Sequence, residues 1–273
     1  MLMSDAAPMI DEESGLPVMA FSSTYHDAYY RRSGKVEKVG DMVPDFLGGI
    51  NTTLRYKNFS LSASFDMRFG GKVASYNSRY GTAYGYTKTS LKYRGVKNGG
   101  IEYTSLWDGI KYDDGMVPTG ILPKGTTIPT PDGGTYTVST GKYSSGETYQ
   151  ELLDKGKVDY VHAGAWHYHQ NSWGAGVLND SWFKTLNYIA FRDLSLSYMF
   201  DNNLTSKIGV SNLSLTLAGH NLGYLLNTMP NKENPEAVAG TTTAEFRIRQ
   251  FSGITSSFTL TLRATIGTSN KKK

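Results

Sequence analysis

The chain has 273 residues, 28 Lys and Arg against 24 Asp and Glu for a formal charge of +4, 39% hydrophobic residues, 30 Gly, 19 Tyr and no Cys. The charge is small and dispersed apart from the lysines at 271–273, and no basic stripe interleaved with aromatics accompanies it, which excludes a nucleic-acid-binding surface. No apolar run nears the roughly 18 residues of a membrane-spanning helix, and the lack of Cys excludes disulfide staples and zinc–thiolate sites while suiting passage through an oxidising compartment.

Residues 1–47 are turn-rich and hold no sustained period, so they read as a loop region. The opening MLMSDAAPMIDEESGLP lacks the positive start and apolar stretch of a secretory signal. For an outer-membrane chain, the expectation is therefore the C-terminal part of a longer protein.

Residues 48–71, GGINTTLRYKNFSLSASFDMRFGG, read as a β-hairpin. Ile50, Thr52, Leu54 and Tyr56 alternate with Asn51, Thr53, Arg55 and Lys57; then Phe59, Leu61, Ala63, Phe65, Met67 and Phe69 alternate with Ser60, Ser62, Ser64, Asp66 and Arg68. A two-residue turn at Lys57 and Asn58, with Asn tolerating the left-handed backbone, makes Tyr56 face Phe59. The second strand has about the 11 residues that a tilted strand needs to cross a bilayer. Its polar face carries small hydroxyls where a soluble sheet would carry long charged side chains. Apolar-out, polar-in strands of that length describe a transmembrane β-barrel wall.

Residues 72–181 are rich in Gly, Tyr, Ser and Thr and read as a long loop region, extracellular in barrels of this kind, with a short capped helix over 149–155. Strands return over 182–267. In FRDLSLSYMF the apolar residues Leu194, Leu196, Tyr198 and Phe200 lie on the opposite parity to Ile189 and Phe191, so a bulge or turn near Arg192 and Asp193 resets the register. After a short connection over 201–212, Leu213, Leu215 and Leu217 start a further strand that runs into AGHNL; a second loop is expected from Tyr224 to about Ala244. The last strand places Phe258, Leu260, Leu262, Ala264 and Ile266 opposite Thr259, Thr261, Arg263 and Thr265, ahead of a basic tail at 268–273. YKNFSLSA, FRDLSLSY and VSNLSLTL echo one another as repeated solutions to one problem, lipid outside and a wet lumen inside. The lipid-facing set is Phe59, Leu61, Phe65, Met67, Leu194, Leu196, Leu213, Leu215, Phe258, Leu260 and Leu262; the lumen-facing set is Ser60, Ser62, Arg68, Thr216, Thr261 and Arg263.

Three blocks, PDFLGGINTTLRYKNFSLSASFDMRFGGKV, FRDLSLSYMF with KIGVSNLSLTLAGHNLG, and FTLTLRATI, resemble the SusC/RagA-like branch of TonB-dependent outer-membrane transporters. The resemblance implies an all-β fold: about five antiparallel strands of a plugged barrel of about 22. It further implies the outer membrane of a Gram-negative bacterium, import of oligosaccharides or peptides, a SusD-like surface lipoprotein as partner, and a TonB complex acting through an N-terminal part that lies outside this sequence. The chain departs from the family at its end, which reads Ala264, Thr265, Ile266 and then GTSNKKK rather than closing on an aromatic residue. The alternative is a stand-alone surface β-sandwich for binding or adhesion.

No G-x-S-x-G, P-loop or dinucleotide fingerprint occurs, so nothing argues for an enzyme or a cofactor. His162, His167 and His169 have no convincing carboxylate beside them and no Cys, so no metal site is assigned; His167 and His169 would share a face in an extended segment. WDGIKYDDG lacks the ligand spacing of a calcium loop and reads as a turn. Rings crowd the long loop region, and Trp166, His167, Tyr168 and Trp173 form the densest cluster, the candidate substrate-binding residues; the alternative is that these rings only pack the loops against each other or cap the membrane interface.

Overall fold

In the computed structural model, residues 2–4, 7–172, 178, 182–239, 247–248, 253 and 255–266 are described. The alternating stretches become five antiparallel strands of one sheet: β1 (Phe46–Tyr56), β2 (Phe59–Phe69), β3 (Tyr188–Met199), β4 (Val210–Asn227) and β5 (Ser257–Ile266). Each strand pairs with its neighbour in sequence, leaving β1 and β5 as edges among the described residues. The described chain is mostly antiparallel strand with little helix, and none of its helices is long and apolar enough to cross a membrane.

The register aligns the apolar rows. Tyr56 faces Phe59, Leu54 faces Leu61 and Ile50 faces Phe65 across the hairpin; Leu61, Leu196, Leu217 and Leu260 then form one row across four strands. Phe65 stacks on Phe191 with centroids 4.8 Å apart. The expected reset lies between Phe191 and Asp193, where Arg192 is the extra residue against β2, so Ile189, Phe191, Leu194 and Leu196 reach the same face despite their change of parity.

Two local expectations change. At the β1–β2 turn the left-handed residue is Lys57 (φ 52°), not Asn58, because Asn58 is used otherwise: its Nδ2 donates to Met199 O at 2.8 Å and its carbonyl accepts from Met199 N at 2.9 Å, tying the turn to β3. And β4 continues through Tyr224 to Asn227, where a loop was expected, because β3 supplies backbone partners as far as Tyr188.

The chain divides into two compact units. The five-stranded sheet belongs to one, formed by Val43–Lys72, Thr185–Ala237 and Phe251–Lys273. The other gathers Met1–Met42, Val73–Lys184 and Val238–Gln250. In this unit, residues expected as loops carry secondary structure, because their scattered apolar side chains meet in space without any sequence period to announce them. Met19–Ser22 pairs with Asp27–Tyr30, Leu2–Ser4 with Glu37–Gly40, and Ile101–Thr104, Lys111–Met116 and Val161–His162 form a three-stranded sheet. Among the described residues of this unit, three α-helices accompany them: α1 (Tyr76–Ala83), α2 (Tyr149–Asp154) and α3 (Ala163–Asn171). Met19, Ala28, Met116, Leu122, Ile128, Tyr149, Leu152 and Val161 pack into its core.

The helix expected at 149–155 is α2, and its start is a capping box. Thr148 Oγ1 accepts from Glu151 N at 3.2 Å, and the Glu151 carboxylate accepts from Thr148 N at 2.8 Å. Beside it the Glu147 side chain is fully buried, accepting from Tyr136 Oη at 2.9 Å and Ser139 N at 3.0 Å and pairing with Lys155. Burial alone would raise its pKa, but Lys155 and the two neutral donors outweigh it and hold the carboxyl below its ordinary value.

Candidate functional site

A groove of about 520 Å3 opens between α1 and α3. Ser75 caps α1, its Oγ accepting from Ser78 N at 3.0 Å. Past Ala83 the chain reverses through a tight turn in which Tyr86 N donates to Gly81 O at 2.7 Å; a Cβ on Gly81 would come within 2.8 Å of Thr87 Cγ2, so a larger residue there would have to displace the Thr87 side chain. The reversal leaves Tyr84 exposed at the mouth. From α3 come Gly164 and Ala165, whose small size leaves the floor open, and Tyr168, whose ring meets Tyr84 edge-on with centroids 6.0 Å apart. Tyr25, Arg94 and His169 complete the lining.

His169 is held from behind. Its Nε2 lies 3.1 Å from Oδ1 of the buried Asp27, and its ring stacks on Tyr29 at 5.1 Å and meets the edge of Tyr25 at 5.6 Å. Arg94 donates from Nε to Ser90 O at 2.8 Å.

The candidate cluster Trp166, His167, Tyr168 and Trp173 separates on α3. Trp166 packs against the core, edge-on to Tyr30 at 5.0 Å. His167 is buried, and its Nε2 donates to Lys92 O at 3.0 Å. Burial lowers the His167 pKa; the Lys92 carbonyl opposes this, while the charges of Arg94 and Lys92 add to it. Only Tyr168 lines the groove, and Trp173 lies outside the described residues. The segment holding His167 and His169 is helical rather than extended, which turns the two rings about 200° apart, so the face they would share in a strand does not form. His162 is elsewhere, with Nδ1 3.0 Å from Asp114 Oδ1 and Nε2 3.1 Å from Tyr103 Oη. Among the described residues no three of His, Asp and Glu gather as a metal-binding set.

Other rings of the aromatic stretch are structural. Arg79 donates to the carbonyls of Asn171 and Ser172 at 2.8 and 2.9 Å and lies 4.4 Å from the Trp182 ring, joining α1 to the end of α3. WDGIKYDDG begins as the expected turn, with Asp108 accepting from Ile110 N and Tyr112 Oη, both at 2.9 Å, and then continues into the strand Lys111–Met116. Sequence reasoning missed Tyr25, Arg94 and Ala83. Tyr25 stands in a ring- and His-bearing run, STYHDAYY, comparable to AWHYHQ, and that likeness was the available signal.

The sheet offers a second arrangement. Opposite the apolar rows, hydroxyls and charges bridge strand to strand: Thr53 to Ser62 at 3.0 Å, Ser197 to Thr216 at 2.7 Å, and Ser64 donating to Asp193 at 2.8 Å, with His220 Nδ1 2.7 Å from the other Asp193 oxygen. Arg192 Nε donates to Asp66 at 2.6 Å and its Nη1 to Glu236 at 2.8 Å. Ser60, Ser62, Arg68, Thr216, Thr261 and Arg263 share this face by register. A hollow of about 900 Å3 lies against it at the β1–β2 turn end, lined by Arg55, Lys57, Thr261 and Arg263 among others.

No family model matches the chain, and no curated protein matches it. Among solved structures, it is similar to the RagAB peptide importer in its open-open state (14% identity, TM-score 0.36, covering 81% of this chain and 19% of that one) and in its closed-closed state (12% identity, TM-score 0.35, covering 78% and 19%). A structure of the RagAB peptide transporter is similar at 13% identity and TM-score 0.37, covering 81% of this chain and 20% of that one, so the chain spans about a fifth of the length of the structures it matches.

Proposed function

We propose that this chain forms part of the barrel wall of a TonB-dependent outer-membrane importer of oligosaccharides or peptides, and that the unit holding the groove helps to meet the cargo. One observation carries the reading: the five-stranded sheet leaves apolar residues uncovered even on its inner strands, with Leu196 and Leu217 at 45% and 55%, while its other face carries bridged hydroxyls. A soluble protein hides an apolar surface of that extent. A bilayer on one side and water on the other stabilise both faces at once. Strands of 10 to 18 residues are long enough to span, since a tilted strand needs about 9–11. The edges of β1 and β5 would continue into further strands of the wall, because an unpaired backbone edge is not tolerated in hydrocarbon.

In this reading Phe59, Leu61, Phe65, Met67, Leu194, Leu196, Leu213, Leu215, Phe258, Leu260 and Leu262 meet lipid. A SusD-like lipoprotein acts with the chain on the outside, and the TonB complex drives it from the periplasm. Tyr168 is the member of the ring cluster on α3 best placed for cargo, since it lines the groove. The test uses single cysteines, to which these 273 residues add no other thiol. A spin label at Ala63 in the outer membrane should be relaxed by oxygen and one at Ser62 by a water-soluble paramagnet. The reverse pattern overturns the wall assignment.

A further inference from the structure

We propose that the groove between α1 and α3 binds a ligand bearing a carboxylate, gripped by the Arg94 guanidinium while the rest of the ligand lies against the Tyr84 and Tyr168 rings. The inference deepens the importer reading and rests on it for the ligand being cargo. Arg94 has donors to spare. Nε is used by Ser90 O, which fixes the side chain, and among the described residues no carboxylate pairs with the guanidinium and no acceptor takes its two terminal amino groups. Among the described residues, the groove lining holds this cation and the His169 imidazole but no acidic side chain.

The backbone around the guanidinium is cleared for access. Gly85, at φ 87°, and Gly164 flank it: a Cβ on Gly85 would come 3.1 Å from Arg94 Nη2 and one on Gly164 would come within 3.7 Å. Side chains there would fill the space beside the free donors. The charge is also felt nearby, since Arg94 contributes to the lowered proton affinity of His167. A planar guanidinium with two free amino groups matches a carboxylate in bidentate geometry, and the edge-on tyrosine pair offers ring faces and hydroxyls for an apolar or sugar surface. A volume of about 520 Å3 admits a ligand the size of a disaccharide or a short peptide. Two sources carry this chemistry: a uronic-acid sugar and a peptide with a free C-terminal carboxylate.

The test is calorimetric titration of the intact protein, purified from its membrane in detergent, with two matched pairs of probes: trigalacturonic acid and its methyl ester, and Ala-Phe-Ala and its C-terminal amide. The charged member of at least one pair should bind about tenfold tighter than its neutral partner, the gain of one charge-assisted contact. Which pair shows the preference identifies the source. Arg94→Gln should abolish the preference and Arg94→Lys should keep part of it. Equal affinity within both pairs, binding by none of the four probes, or a preference that survives Arg94→Gln overturns the proposal. The comparison on the unaltered protein decides the matter even where a variant fails to fold. Binding is measured without transport, so a charge preference in a protein that imports neither compound would sink the importer reading alone.

Discussion

Burial decides which protonation state His167 carries. Its pKa is depressed below the ordinary 6.5, so between that value and the folded value the unfolded chain binds the extra proton and the folded chain does not. The stability His167 contributes is complete above pH 6.5 and is lost as pH falls toward the folded pKa. In an NMR titration of the intact protein, the His167 ring should stay neutral at pH values where a model imidazole is already half protonated; a titration at or above 6.5 would contradict its burial. Its neighbours on α3 separate by role. Trp166→Ala should lower the stability of its unit by about 3 kcal/mol or less, since the ring is only partly buried, in a chemical denaturation series. Tyr168→Ala should leave stability nearly unchanged and weaken uptake; unaltered uptake of every cargo would remove Tyr168 from the site. The sequence showed that rings crowd residues 166–173 but not which of them point inward, because that depends on a helical phase set by packing against Tyr30 and Lys92.

Alternation made the strands legible. A period of two persists wherever one face differs from the other, so β1, β2, β3 and β5 could be read to within a residue or two, and even the bulge at Arg192 left its mark as a change of parity. The extension of β4 to Asn227 was not legible, since Asn221 and Gly223, at φ 50° and 124°, break the alternation that β3 nevertheless pairs. Helices α1 and α3 were missed because Tyr, Ser, Gly, His and Asn give little helical preference, whereas α2 carries a capping box. Thr148→Ala should therefore destabilise its unit by about 1 kcal/mol, measured by denaturant melts with Thr148→Ser as the control that keeps the cap. If the sheet forms the proposed wall, Ala63→Arg should cost about 2–4 kcal/mol in refolding into bilayers near the midplane. A cost near zero would place Ala63 away from lipid.

At the scale of the whole molecule, two strand edges open and an apolar sheet face uncovered among the described residues define how the chain behaves by itself. Expressed alone in water it should aggregate or recruit partner strands. A soluble monomer with one sharp melting transition would favour the β-sandwich alternative over the wall.

The core of the groove-bearing unit has a consequence for how such a protein can diversify. Met19 and Ala28 come from before the β1–β2 hairpin, whereas Met116, Leu122, Tyr149 and Val161 come from after it. A recombination crossover inside the hairpin would join an N-terminal segment from one parent to a central segment from another, and their core side chains would no longer match in volume. The core of this unit is therefore kept matched when its segments from before and after the hairpin are exchanged together.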